Sequence, residues 1–382
     1  MNRLTIGAFG TSRKENEFRL PIHPDHLAGI DAELREAIFV EEGYGARFGT
    51  TPEDLKEVVA GIRSQDQLIE ECDVILLPKP LPEDLQTMRE GGVLWGWPHC
   101  VQDEVLTQIA IDRRLTLIAW EAMNHWKRNG SFDLHVFHKN NELAGYSSVL
   151  HAFELSGITG HYGRPLRAAV ISFGATGRGA VTALNALGVG DVTVMTQREP
   201  AAVASPVHSA TMAQFGSDDD GTMTVSSDEG RRSMAEVLAE HDVVVNCVLQ
   251  DTDDPYMFVT RDDLELFDPG NLIVDVSCDE GMGFEWARPT TFEEPMFTVG
   301  GGVHYYAVDH SPSHLWNSAT WEISEALLPY LPVVMGGPEA WAAEPTIDRA
   351  IEIRDGVVQN PKILTFQNRA AEYPHEKLGS GS

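Results

Sequence analysis

A chain of 382 residues exceeds one ordinary compact domain, and its 42% apolar residues are enough to build two cores. With 58 acidic against 28 basic side chains the formal charge is −30, which excludes sequence-independent attraction to nucleic acid, because phosphate binding needs a basic face. The four cysteines, Cys72, Cys100, Cys247 and Cys278, lie far apart without C-x-x-C or zinc-like spacing, so they read as reduced thiols in a cytoplasm and not as disulfides or a metal site.

The opening "MNRLTIGAFG" has no apolar stretch long enough for a signal peptide and reads as a first strand. No run of ~18 apolar residues occurs anywhere, so no membrane span is expected. Short apolar or β-branched runs follow at 4–9, 37–42, 73–78, 93–97 and 115–121, separated by polar helix-like stretches such as 25–36, 52–60 and 102–113. This alternation predicts parallel βαβ units. Residues 139–159 carry apolar residues at helical spacing and read as a long bridging helix. A second α/β series then occupies 167–174, 191–196, 242–249, 271–277 and 297–301, with the acidic 216–223 as a surface loop. Another helical pattern spans 318–331, and after the break at "VVMGGPEAW" the chain is expected to return to the first lobe. The terminal "EKLGSGS" is left outside the fold as a tail.

"SFGATGRGA" (172–180) follows the buried-strand pattern "AAVIS" at once and opens a helix that Gly188 ends. A second strand, "DVTVMT", arrives at the distance expected of a dinucleotide-binding unit. With Gly174 as the close-approach glycine and Gly177 as the helix-packing one, Ser172 falls where the first glycine of G-x-G-x-x-G would stand, and Ala175 and Thr176 complete the turn. The other register, G-A-T-G-R-G, is similar to the opening turn of short-chain reductases. Their Tyr-x-x-x-Lys pair matches only Tyr373 and Lys377, in the tail with a proline inside. The second strand ends in Thr196, Gln197 and Arg198. No carboxylate is there to hold ribose hydroxyls, and Arg198 suits a 2′-phosphate, so charge favours NADP(H) over NAD(H).

Ionisable residues adjoin rigid segments in four places. Arg19 sits in "NEFRLPIHP", Lys79 follows a strand between two prolines, His99 follows another in "WPHC", and Asp279 follows "VDVSC", with Asp275 inside that strand. Open α/β sheets bind ligands at the carboxyl ends of their strands, where Lys79, His99 and Asp279 fall. Each residue has an ordinary structural explanation. Together they make a set that would bind a 2-oxo acid: cations for its carboxylate and carbonyl, a histidine near neutral pKa, and a carboxylate for an amine. His304, His310 and His314 are spaced six and four apart around a proline, which does not suggest a metal.

The segments "NEFRLPIHP", "PKP", "WPHC", the glycine turn and "VDVSCDEGMGFEWARPTTFEEPMFTV" resemble the alanine dehydrogenase and transhydrogenase family over residues 1–335. Within it, "VVNCVLQD", "ELAGYSSVLHAFELSG" and "YYAVDHSPSHLWNSATWEIS" look most similar to the (carboxyethyl)ornithine synthase branch. The resemblance implies an α/β fold of two Rossmann-like lobes, parallel sheets flanked by helices, with an interdomain cleft. Residues 1–137 plus 314–382 would form a discontinuous substrate domain and 138–313 the NADP-binding domain. It also implies that Arg19 and Lys79 hold the carboxylate and carbonyl of the keto acid, that His99 is the acid/base, and that Asp279 lies beside the nicotinamide and the reacting amine. Cys247, Val248 and Leu249 would border the cofactor, and His310 the substrate. Two departures count against a plain alanine dehydrogenase: His310-Ser311-Pro312, preceded by Asp309, replaces Asn-Met-Pro, and Thr196 replaces the ribose-binding Asp.

The expected reaction is NADPH-dependent reductive condensation of pyruvate or a related 2-oxo acid with the amino group of an ornithine- or lysine-like amino acid. Reductive amination by free ammonia, a saccharopine-dehydrogenase-like reaction, and a non-catalytic NADP-binding sensor are the alternatives. Small molecules are the expected partners, with no nucleic acid, membrane or metal, and the family resemblance implies a homo-oligomer. Acidic residues such as Asp309 or Glu142 could greet a cationic amine, but among 58 they single nothing out.

Overall fold

The computed structural model describes residues 3–197, 209–218, 221–227, 230–251 and 254–379. The chain divides into two compact units, Met1–His138 with Trp316–Ser382, and Lys139–Leu315.

In the first unit, eight strands form one sheet. Val74–Leu76, Val93–Gly96 and Thr116–Ala119 are buried at every position, as parallel strands covered on both faces must be. Ile6–Ala8 pairs in parallel with Ile38–Glu41 on one side and Val74–Leu76 on the other, so the strand order reverses at this first strand. One face is packed by a cluster that includes Trp95, Trp120, Phe137 and Leu331, the other by one that includes Leu68, Leu94, Leu106 and Ile363. Capping boxes start the short helices Pro52–Lys56 (Thr51 with Asp54) and Gln65–Glu71 (Ser64 with Gln67). The stretch 25–36 forms two helices, Pro24–Leu27 and Ala32–Arg35, divided at Gly29-Ile30. The returning C-terminal chain supplies Ile351–Arg354, which extends the sheet antiparallel to Thr116–Ala119.

The second unit opens with the helix His138–Ser156 and holds a nine-stranded sheet. Its six central strands are parallel, in the order Thr211–Ser217, Asp191–Thr196, Arg167–Ile171, Val243–Asn246, Leu272–Asp275 and Val303–Tyr306. The order reverses at Arg167–Ile171, which places the crevice of a doubly wound sheet at the carboxyl ends of this strand and Val243–Asn246. The run at 297–301 does not extend the parallel series. Met296–Val299 turns back antiparallel on Val303–Tyr306, because the three glycines 300–302 allow a tight reversal with φ of +53° at Gly300 and +124° at Gly302. The ends of 216–223 belong to strands: Thr211–Ser217 pairs antiparallel with Met223–Ser227, and Asp219 and Asp220 lie outside the described residues.

All four cysteines are free thiols. Among the described residues no helix is long and apolar enough to cross a membrane, and no cluster of His, Cys, Asp and Glu could hold a metal.

Candidate active site

In the first unit the site residues follow from two strands held in tight register. Gly96 abuts the neighbouring chain so closely that a Cβ there would stand 1.9 Å from the Leu77 carbonyl oxygen. Leu77 N–H donates to the Trp95 carbonyl at 3.2 Å, and Trp97 N–H to the Pro78 carbonyl at 3.0 Å. The pairing therefore continues past both strands and delivers Lys79 and His99 to the same place. Lys79 Nζ lies 2.8 Å from His99 Nε2. His99 turns in the left-handed region at φ +49°, and its N–H donates to Glu121 Oε1 at 2.6 Å. Glu121 stands in the short 3-10 turn Trp120–Ala122 that ends the next parallel strand, and its Oε1 is also 3.9 Å from His99 Nδ1. Three successive strand ends thus supply an ammonium, an imidazole and a carboxyl group.

Arg19 is 5% exposed, as is Glu17. Its Nε donates to Glu17 Oε1 at 2.8 Å and its second guanidinium nitrogen to Glu17 Oε2, a fork that fixes the plane of the group. The guanidinium carbon lies 5.2 Å from the centre of the Trp97 ring, two residues before His99. Arg19 is thus buried beside a residue of the strand end that carries His99. Glu17 also lines a cavity of about 340 Å³ with Ser12, Phe18, Arg47 and Phe48.

In the second unit the glycine turn sits at the strand-order reversal. Ser172 adopts φ +78°, a conformation that glycine reaches without penalty and serine does not. Ser172→Gly is therefore expected to stabilise the unit by about 1 kcal/mol, seen as a rise of about 2–4 °C in its thermal midpoint; an unchanged or lower midpoint would contradict this. A Cβ at Gly177 would lie 2.4 Å from the Ser172 carbonyl oxygen, so that glycine is required by the turn itself. Gly174, the N-cap of helix Ala175–Ala186, differs: a Cβ there would meet nothing within 4 Å. Its glycine has no reason inside the chain, and it fronts the helix N-terminus that would face a pyrophosphate.

Ala175 and Thr176 form the first turn of that helix. Thr196, 3% exposed, ends its strand, and Gln197 follows at the surface with its carbonyl accepting from Gln214 Nε2 at 3.0 Å. Arg198 lies outside the described residues. At the end of Val243–Asn246, Cys247 and Val248 are buried while Leu249 is 95% exposed. Gln250 Nε2 beside it is buried with no partner among the described residues. An open glycine, a bare helix N-terminus, an exposed apolar side chain and a spare donor share this edge of the sheet, and they fit a dinucleotide.

Asp275 and Asp279 have different surroundings. Asp275 is 1% exposed and receives the Tyr305 hydroxyl, Asn246 Nδ2 at 2.9 Å and Cys278 N–H at 3.1 Å. Burial still pushes its carboxyl up to about 6. Asp279 lies four residues on, half-buried, and burial with the neighbouring Asp275 pushes it up to about 6. The Asp275 oxygens are thus committed to three donors from within the unit. His310 is 2% exposed, its Nδ1 lies within hydrogen-bond distance of Asp309 Oδ1 at 2.5 Å, and its ring packs edge-on against Phe292. His314 stacks on His151 at 4.5 Å, and burial followed by His314 lowers His151 to about 4.

Sequence reasoning missed Glu121, whose position just past "LTLIAW" was the one available signal, and Glu17, which stands two residues from Arg19.

Residues 11–142 match the family description "Alanine dehydrogenase/PNT, N-terminal domain" and residues 150–361 match "Alanine dehydrogenase/PNT, C-terminal domain". Among curated proteins, the N(5)-(carboxyethyl)ornithine synthase of Clostridium botulinum is 24% identical over 81% of this chain and 89% of its own length. The alanine dehydrogenases of Mycobacterium tuberculosis and Halomonas elongata are 23% and 27% identical, over 93% and 90% of this chain and 95% and 91% of their own. Among solved structures, an L-alanine dehydrogenase superposes with a TM-score of 0.73 at 20% identity, covering 95% of this chain and 99% of its own. A transhydrogenase from Sinorhizobium meliloti superposes with a TM-score of 0.70, also at 20% identity, covering 94% and 99%. With both domains matched in order across most of its length, the chain belongs to the alanine dehydrogenase/PNT family and is a nicotinamide-dependent oxidoreductase.

Proposed function

We propose that this enzyme uses NADPH to condense a 2-oxo acid, pyruvate or a close relative, reductively with the amino group of an amino acid. The observation that carries the proposal is the 2.8 Å approach of Lys79 Nζ to His99 Nε2 at the ends of adjacent parallel strands. A ketone oxygen brought there meets one group that can hold it and another that can protonate it. Arg19, its guanidinium plane fixed by Glu17, takes the substrate carboxylate. Asp279 accepts a proton from the incoming ammonium, freeing the nitrogen lone pair to attack the carbonyl carbon. His99 then protonates the carbinolamine oxygen, water leaves, and a protonated imine remains. A bound nicotinamide would supply the hydride that turns this iminium carbon into the secondary amine. Fixing the reactants in place accounts for much of such a rate enhancement, since orientation replaces collision.

Three observations support the finer points. Thr196 leaves the second strand without a carboxylate to repel a 2′-phosphate, which favours NADP(H), with Arg198 as its expected partner. The Clostridium botulinum relative bears the name of a condensing enzyme. Four free thiols, three of them buried, fit a reducing cytoplasm; a homo-oligomer is expected from the resemblance. The competing reading, alanine dehydrogenase-type amination by ammonia, is favoured by relatives matched over nearly their whole length.

One assay separates them. With NADPH and pyruvate, ornithine or lysine should drive NADPH oxidation and yield a secondary amine detectable by mass spectrometry. Turnover with ammonia alone would overturn condensation. Because Asp279 must be ionised to accept a proton, the rate should fall as pH drops through about 6, and Asp279→Asn should abolish that limb together with most of the rate.

A further inference from the structure

Four strands of the first unit run parallel side by side, in the order Ile38–Glu41, Ile6–Ala8, Val74–Leu76 and Val93–Gly96. Their carboxyl ends form one row, with neighbours about 4.8 Å apart. Lys79 and His99 follow the last two strands. The loops that follow the first two, at 43–48 and 10–12, wall the cavity of about 340 Å³. The cavity therefore lies beside Lys79 in the row, where the strand order reverses and ligand crevices form. Direct contacts join the two places: Ser12 Oγ in the cavity wall donates to the Lys79 carbonyl at 3.2 Å, and Glu17 in the same wall forks onto Arg19. Glu41 fixes the loop at 10–12, accepting from the N–H groups of Gly10 at 2.7 Å and Thr11 at 2.8 Å. On the opposite wall, Arg47 is carried by the turn Ala46–Phe48, which Gly45 and Gly49 bracket at φ +74° and +82°. Its guanidinium carbon lies 3.6 Å from the centre of the Phe18 ring and 5.8 Å from that of Trp316. Among the described residues no carboxylate pairs with it, although acidic side chains outnumber basic ones by 58 to 28. Glu17 and Glu41 are already engaged, by Arg19 and by the loop. The cavity thus offers a guanidinium on an aromatic face for a carboxylate, and Leu20 and Phe48 as apolar wall for a carbon chain.

We propose that this cavity holds the amino-acid co-substrate and that Arg47 binds its carboxylate. The assignment rests on the reaction being a condensation with an amino acid. In that reaction Arg19 and Lys79 already take the carboxylate and carbonyl of the 2-oxo acid, and pyruvate has only a methyl group left to place. Ammonia would need neither a cavity nor a further cation. An amino acid brings both a carbon chain and a carboxylate, and its amino group must reach the carbonyl that Lys79 holds, one strand further along the row. The planar fork of Arg47, steadied by the Phe18 face, suits a carboxylate in two parallel hydrogen bonds, which a lysine there would not make. A 2-oxo acid with a second carboxylate is the other occupant such a guanidinium would take, and it would make Arg47 a determinant of the oxo acid instead.

The test compares ornithine with 1,4-diaminobutane, which is ornithine without its carboxylate, and lysine with 1,5-diaminopentane in the same way, on the full-length enzyme. With NADPH and pyruvate, the ratio of kcat/KM for the amino acid to that for its diamine should fall at least about tenfold in Arg47→Gln, as expected for losing hydrogen bonds to a charged group. Arg47→Lys, which keeps the charge without the fork, should give an intermediate ratio. A ratio that stays put, or a KM that rises for pyruvate and not for the amino acid, overturns the assignment and leaves the condensation standing. Calorimetry on the NADPH-loaded enzyme without pyruvate gives a readout free of turnover: ornithine or lysine should bind, and at least about tenfold more weakly in Arg47→Gln. No binding to the wild type, or equal binding to both, also overturns the assignment. If ammonia alone supports turnover while amino-acid binding still depends on Arg47, the proposed reaction fails and Arg47 remains an amino-acid site.

Discussion

His99→Ala is expected to lower kcat for pyruvate-dependent NADPH oxidation by about 1,000-fold, and Lys79→Met by a similar factor, with NADPH affinity unchanged. Loss of proton donation to the departing oxygen is worth that much in positioned acid catalysis. Lys79 and His99 meet at 2.8 Å, so each sets the other's usefulness. Without the ammonium the ketone oxygen is not held before the imidazole; without the imidazole the held oxygen is not protonated. The double variant should therefore fall little below either single one, since residues acting as one unit do not add. Affinity for NADPH should survive because the glycine turn, Thr196 and Leu249 belong to the other unit. Steady-state kinetics and cofactor fluorescence on the three variants check this. A single variant that retains a tenth of the activity would remove that residue from the chemistry.

How much of this was legible in the sequence differs by residue. The strands that lead to Lys79, His99 and Asp279 were readable, because 74–76, 93–95 and 272–274 are short apolar runs of strand length, the pattern expected of parallel strands covered on both faces. The strand Ile351–Arg354 was not read: "IEIR" alternates apolar and charged residues as a half-exposed strand does, yet Glu352 is buried. Only the pairing partner and its register shift show why a carboxylate is sealed there. Glu121 was lost among 58 acidic residues, since nothing local distinguishes a carboxyl whose role is to receive the N–H of residue 99. The glycine turn was readable in position, but its strain was not. Serine at a positive φ leaves no mark in sequence beyond a missing glycine, and the tail of the cofactor question, Arg198, lies outside the described residues. Long-range pairing, and not local propensity, places Glu121 and Glu352, whereas Glu17 meets its partner Arg19 only two residues away.

Two glycines in "SFGATGRGA" should respond to the same substitution in opposite ways. In Gly179→Ala the new Cβ would stand 1.8 Å from the Glu142 carbonyl oxygen, and the reciprocal contact, Gly145 to the Thr176 carbonyl, is 1.9 Å. Helices His138–Ser156 and Ala175–Ala186 thus touch backbone to backbone, and a single methyl must push them apart. Forcing atoms into packed backbone costs about 3 kcal/mol or more, equivalent to a fall of about 6–12 °C in the thermal midpoint of this unit. Gly174→Ala meets nothing within 4 Å and has an ordinary extended backbone, with φ −80° and ψ −161°. Its stability should be unchanged. If a pyrophosphate packs against Gly174, as the open cradle indicates, the added methyl occupies that space, and NADPH should bind at least about tenfold more weakly, a difference of about 1.4 kcal/mol. Calorimetry and cofactor titration of the two variants give four numbers whose pattern is diagnostic. Stability lost at Gly179 and affinity lost at Gly174 would separate the glycine needed by the fold from the one kept for the ligand. Gly174→Ala binding NADPH as tightly as the wild type would move the cofactor away from this turn.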